Sequence, residues 1–307
     1  MRQLSELDAS FLYLESETTP MHIGGVYLFD ASDLQYPLAF STFVAYLRSR
    51  LHVVPLFRQK LKEIPLRLGR PYWIDDPDFS IERHLAYVNL GEHGKQSSLM
   101  SLASKILEEP LKRDRPLWHI TFVDGFKLDD REGEKEGFAL IVKLHHAAID
   151  AFSGEEIMGK LLEYTPEPRA IPQPRPWLPR PEPSEERVFL QAGANMLKTP
   201  MQFASLAYNA AEVTARGLVH RQLRKLPLPL PLFTAPHSPF NRQITANRRL
   251  VSTQVSLSRL KAIKSSLADV TLNDVVLGLC AEILRRYLLV QDNGTDRSLV
   301  AMTPISV

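Results

Sequence analysis

Two adjacent histidines and a carboxylate four residues further on, His145, His146 and Asp150, are the residues of this chain best placed by type and spacing to do chemistry. An imidazole with a pKa near ~6.5 can take a proton from a hydroxyl or an amine around neutrality and return it to a leaving group, typically worth about 10²–10⁴-fold in rate. Adjacent residues on an extended segment point to opposite sides, so only one histidine of the pair can face a substrate and the other is structural. Asp150 suits a different task, orienting the loop by accepting backbone or arginine hydrogen bonds. Two other readings fit the same residues. Imidazole and carboxylate are metal ligands, although neighbouring histidines do not easily chelate one ion and no HExxH pattern supplies the rest. The third reading is a turn of mutually satisfied polar groups. No Gly-x-Ser-x-Gly elbow, P-loop or dinucleotide fingerprint offers another chemistry.

Such residues act only when a rigid frame holds them. Upstream, Gly137–Val142 is a short, partly β-branched apolar run that predicts a buried strand ending near His145. Downstream, Ser153 and Glu156 form a capping-box pattern ahead of Ile157, Leu161 and Leu162, which predicts a helix start. The histidines therefore fall on a strand-to-helix loop. Earlier segments alternate in the same way. Val26–Phe29, Ile81–Leu90 and Pro116–Val123 read as strands, the last joined to the histidine strand by a charged hairpin-like connection at Asp129–Lys135. Pro37–Leu51 and Ser98–Leu107 read as helices. This alternation predicts an α/β (α+β) domain with a mixed sheet covered by helices.

From Thr165 to Pro183 the composition changes, with eight prolines making a semi-extended linker. Ser184–Lys225 then reads as one or two helices ending in a cluster of Arg216, His220, Arg221, Arg224 and Lys225. The leucine–proline alternation of Leu226–Phe233 forbids a helix, and with that cluster it suggests either a membrane-surface contact or a packed linker. Beyond it, Arg249–Val255 reads as a strand, Thr271–Asp274 as a capping box opening an apolar helix over Val275–Leu289, and Leu299–Met302 as the start of a further strand. The expected organisation is 1–164 carrying the histidines, 165–245 as linker and connecting helices, and 246–307 as the start of a second domain.

With 37 Lys+Arg against 35 Asp+Glu among 307 residues, the net charge of +2 gives no reason to expect nucleic acid. The lone Cys280 can form no internal disulfide and lies in an apolar stretch that predicts a core position; a cytoplasmic protein is expected. The N-terminus lacks the apolar region of a signal peptide, and no apolar run approaches the ~18 residues of a spanning helix.

The run His145-His146-Ala147-Ala148-Ile149-Asp150 resembles the HHxxxDG signature of the chloramphenicol-acetyltransferase-like superfamily, which includes the condensation domains of peptide synthetases. Further segments narrow the resemblance to the bacterial wax ester synthase/diacylglycerol acyltransferase family. They are Leu7-Asp8-Ala9-Ser10-Phe11 with Pro20-Met21-His22-Ile23-Gly24, then Pro116-Leu117-Trp118, Asn273-Asp274 and Pro304-Ile305-Ser306-Val307. Taken singly, Trp118 reads as core packing and Asp274 as a helix N-terminal charge.

The resemblance implies two chloramphenicol-acetyltransferase-like domains and transfer of a fatty acyl group from acyl-CoA, as co-substrate, to a long-chain alcohol or diacylglycerol, with no cofactor and no metal. By position it makes His146 the general base, with His145 supporting it and Asp150 holding the loop. Trp118, Asn273 and Asp274 become candidates for the substrate side. It also implies peripheral association with the inner membrane or lipid inclusions. Two departures stand out. Ala151 replaces the motif glycine, and the family's sequences continue past Val307, so the second domain is expected to be incomplete here, with a second chain carrying the remainder as one explanation. A condensation-type or polyketide-associated acyltransferase and a non-catalytic lipid-binding homologue are the rival readings.

Overall fold

The computed structural model describes residues 1–34, 38–65, 69–130, 133–149, 154–163, 176–191, 193, 236, 238–291 and 298–301. Asp150, Ala151, the Leu226–Phe233 segment with its basic cluster and Pro304–Val307 lie outside these residues. The chain forms two compact units, residues 1–203 with 245–251, and residues 204–244 with 252–307.

The first unit is built on β6 (Trp118–Asp130) and β7 (Gly133–His145), an antiparallel pair at the centre of a four-stranded sheet ordered β2-β7-β6-β5. β2 (His22–Asp30) runs antiparallel to β7, and β5 (Leu85–Gly94) runs parallel to β6. Side chains alternate across a strand, and register puts Trp118 opposite Leu144, Ile120 opposite Val142 and Phe122 opposite Leu140. This set packs against Leu12 of α1 (Glu6–Leu14), Phe43 and Leu47 of α2 (Phe40–Arg50), and Ile157 and Leu161 of α4 (Gly154–Leu161). The alternate set, Val123, Ala139 and Ile141, packs against Leu99, Met100 and Ala103 of α3 (Gln96–Glu108). Both faces of the central pair are therefore buried, which is why its sequence is a nearly unbroken apolar run. Each large apolar side chain removed from water here contributes about 1.5–3 kcal/mol.

Two glycines permit this packing. Gly125 takes φ +69° where the β6–β7 register shifts between Val123 and Phe126, a backbone that an L side chain resists. At Gly24 on β2, a Cβ would run into the Leu107 side chain, so glycine lets α3 approach the sheet.

The C-terminal carbonyls of α3 have no partners within the helix, and two basic side chains from the sheet satisfy them. Lys143 Nζ donates to the carbonyls of Ile106 (2.8 Å) and Glu109 (2.5 Å), and His22 Nε2 donates to that of Leu107 (3.1 Å). α1 begins at Ser5, whose Oγ accepts the Asp8 N–H and donates to its carboxylate, so the buried Asp8 belongs to a helix cap.

A smaller antiparallel sheet orders β1 (Arg2–Gln3), β4 (Tyr72–Asp75) and β3 (Gln59–Lys62). The end of the proline-rich stretch and the helical residues after it lie along this sheet. Glu182 pairs with Lys60 and Lys62, and Val188 is buried with Ile64, Tyr72 and Ile74. In the second unit, α5 (Leu257–Ser265) precedes α6 (Leu272–Val290), which opens on a reciprocal capping box between Thr271 and Asp274.

Four sequence expectations need correction. Arg249–Val255 forms no strand, because its neighbourhood bonds to α3 side chains instead of a ladder: the Arg248 N–H goes to Glu108 Oε1 (2.7 Å) and the Leu250 N–H to Ser104 Oγ (2.7 Å). Residues 298–301 are likewise not a strand. Ile81–His84 is a 3₁₀ turn, and the strand begins at Leu85. Cys280 is exposed rather than core, since α6 buries only Val275 and Leu288 among the described residues.

Candidate active site

β7 ends at His145, and His146 opens a 3₁₀ turn to Ala148. The backbone there is pinned from both sides. The His145 N–H donates to the Leu117 carbonyl (3.1 Å) and the His146 N–H to the Met21 carbonyl (2.9 Å). The Pro116-Leu117-Trp118 and Pro20–Gly24 segments thus meet at the histidines.

The two imidazoles have different surroundings. His145 is 1% exposed, and its Nδ1 accepts the Ala147 N–H at 3.0 Å. With Nδ1 accepting, the ring presents its N–H at Nε2, which faces Glu15 Oε1 at 3.4 Å, an electrostatic contact at the long limit of a hydrogen bond. Glu15, the C-cap of α1, accepts the Met21 N–H, and its other oxygen takes two hydrogen bonds from Arg113 at 3.0 and 2.7 Å. Burial alone would raise the Glu15 carboxyl, but His145, Arg113 and the Met21 N–H outweigh it and hold the group at about 2. Arg113 also donates to the Leu12 carbonyl. A chain of partners thus runs from Arg113 through Glu15 and His145 to the turn that carries His146.

His146 is half-buried and stacks on Phe11 of α1, with ring centroids 4.6 Å apart and an interplanar angle of 18°. Among the described residues its ring nitrogens make no hydrogen bond. Burial, reinforced by the neighbouring His145, lowers its pKa below the ordinary imidazole value. At neutral pH it is thus an uncharged imidazole able to accept a proton, oriented by an aromatic clamp.

Trp118 is buried in a ring stack, 4.5 Å from both Phe57 and His84, and its indole N–H donates to the Phe57 carbonyl. Its edge also lines a cleft under α3. Asn273 and Asp274 lie in the other unit. Asp274 spends its carboxylate on the N–H and hydroxyl of Thr271, and Asn273 is exposed on the first turn of α6. The structure therefore brings His145, His146 and Trp118 into one unit, with Asp150 outside the described residues. Among those residues no group of three or more His, Cys, Asp or Glu side chains could hold a metal ion, and no helix is long and apolar enough to cross a membrane. Sequence reasoning missed Phe11, Glu15 and Arg113 as parts of the site. No local signal marks them, since Glu15 and Arg113 are separated by 98 positions.

A mixed sheet with helices on both faces, delivering a His-His turn from a central strand, has the architecture of the chloramphenicol-acetyltransferase-like proteins, and comparison with known proteins narrows it. The family model for the wax ester synthase/diacylglycerol acyltransferase catalytic domain matches residues 4–276. The chain belongs to that family. A probable diacylglycerol O-acyltransferase of Mycobacterium tuberculosis is 34% identical over 307 residues, covering 98% of this chain and 63% of the relative. A second one from that organism is 31% identical over 274 residues, covering 86% of this chain and 95% of the relative. Among solved structures, the wax ester synthase/diacylglycerol acyltransferase from Marinobacter aquaeolei VT8 superposes with a TM-score of 0.66 at 28% identity, covering 99% of this chain and 65% of that one. The chain spans 59% to 63% of the length of several curated relatives that it matches almost end to end.

Proposed function

We propose that the protein transfers a fatty acyl group from acyl-CoA to the hydroxyl of a long-chain alcohol or a diacylglycerol, giving a wax ester or a triacylglycerol. The observation that carries this reading is His146, a neutral, half-buried imidazole whose ring nitrogens make no hydrogen bond among the described residues, clamped by Phe11 and held by backbone bonds from two further segments. His146 takes the hydroxyl proton as the acceptor oxygen attacks the thioester carbonyl carbon. The carbonyl electron pair moves onto oxygen, and its return breaks the C–S bond. The departing CoA thiolate takes the proton back from His146, leaving the ester and free CoA. His145 does not touch the substrate in this scheme; it sets the turn through Ala147 and Glu15. Association with a membrane or lipid-droplet surface belongs to the same proposal, because both acceptors partition out of water.

The test is release of free thiol from palmitoyl-CoA with hexadecanol or dipalmitoylglycerol as acceptor. Acceptor-dependent CoA release is expected, and His146→Ala should lower it by about 10²–10⁴-fold. Release that ignores the acceptor, or a His146→Ala protein as active as the wild type, would overturn the scheme, and no release from the wild type would leave a lipid-binding role.

A further inference from the structure

A cleft of about 410 Å³ opens between the C-terminal half of α3, the 109–116 loop and strands β5 and β6. Its wall is apolar, formed by Val88, Leu102, Ile106 and Leu111, while its floor and rim are polar and basic. On the floor the His119 imidazole makes no hydrogen bond among the described residues. Burial, then Lys143 and His84, press its pKa down to about 4, so it is a neutral ring able to donate and to accept. The Thr121 hydroxyl beside it likewise makes no hydrogen bond among those residues. The rim carries Arg83, Lys112 and Arg115, with Lys143 at the base, against one lining carboxylate among the described residues, Glu109. Asp114 pairs with Arg115 at 2.8 Å and with Arg83 at 4.0 Å, but it is 61% exposed, and ion pairs of that kind exchange readily for a better anion. Lys112 has no partner among the described residues. Among the described residues two cations remain in excess, an excess that suits a phosphate group.

The cleft adjoins the histidines through two shared elements. Lys143 lies two residues before His145 on β7, and the 109–116 loop that walls the cleft also supplies Arg113 to Glu15.

We propose that this cleft binds the phosphate-bearing part of CoA, with Arg83, Lys112 and Arg115 on the phosphates and His119 and Thr121 on the polar groups beyond them. This inference rests on the acyl-transfer reading for the presence of CoA, but it is testable without turnover. Calorimetric titration of the protein with CoA should show a dissociation constant raised by about tenfold in Lys112→Glu and in Arg83→Glu, the worth of one charge-assisted contact. Arg48→Glu, on α2 outside the cleft, controls for net charge and should match the wild type. CoA should also shift the His119 imidazole resonances of the wild type. A wild type that does not bind CoA, cleft variants within twofold of it, or His119 signals that move with palmitate and not with CoA would each overturn the assignment. The thiol-release assay separates the two readings. Turnover with unchanged CoA affinity in the variants removes the cleft alone, and cleft-dependent CoA binding without turnover removes acyl transfer alone.

Discussion

Replacing Glu15 with glutamine tests whether the buried ion pair behind His145 organises the turn. The side chain keeps its shape and loses its charge. The amide keeps one acceptor oxygen, so its NH2 must face either the Arg113 guanidinium or the two donors on the other oxygen, His145 Nε2 at 3.4 Å and the Met21 N–H. The carboxyl sits at about 2 rather than 4.5, and at 8% side-chain exposure little solvent screening applies, so its charged state is favoured in the fold by about 3 kcal/mol. Because the folded pKa is depressed, that stability is fully present above 4.5 and is lost as pH falls toward 2. Urea unfolding at neutral pH should therefore find Glu15→Gln less stable by about 2–3 kcal/mol, a gap that closes as pH falls through this window. In the acyl-transfer assay kcat should fall by about 10- to 100-fold with KM little changed, because Glu15 acts on the geometry of the base and not on substrate. A variant as stable and as fast as the wild type, or a stability gap independent of pH, would show that the ion pair does not support the turn.

Phe11→Leu removes the ring stacked on His146, worth about 0.5–1.5 kcal/mol, and opens the imidazole to water. Burial is the main cause of the low His146 pKa, so the acidic limb of the kcat/KM pH profile should move upward in this variant and kcat should drop about tenfold or less. The folded pKa values of His22 and His119, both held at about 4 chiefly by burial, predict acid sensitivity. Each group is neutral in the fold and protonated on unfolding, so stability is present above 6.5 and is lost as pH falls from 6.5 to 4, by up to about 3 kcal/mol per histidine. Unfolding midpoints measured across that range should decline, and less steeply in His119→Asn.

How much of this was legible in sequence depended on how local the signal was. The strand leading to His145 and the helices at Phe40–Arg50 and Gln96–Glu108 follow from apolar patterning, and the helix at Leu272–Val290 from its capping box as well, signals that neighbouring residues dictate. The alternation of strands and helices likewise set the fold class, and the His-His pattern marked where to look. Steric alternation along an extended chain already required that one imidazole be buried and the other open.

Other features had no such local cause. Arg249–Val255 has the composition of a strand, but the donors at its start, the Arg248 and Leu250 N–H groups, were captured by Glu108 and Ser104, side chains more than 100 positions away. Cys280 sits in an apolar run yet faces outward, because burial belongs to the surface a helix meets and not to the helix itself. Which histidine is buried against a carboxylate and which stacks half-open on an aromatic ring was decided by Phe11, Glu15 and Arg113. These three carry no chemical signal in sequence and were brought together only when α1 and the 109–116 loop packed around the end of β7. The residue types and periodicity of the chain thus determined its elements and the identity of its reactive groups. The protonation, orientation and exposure of those groups were decided by tertiary structure, since each depends on charges and surfaces contributed from remote parts of the chain.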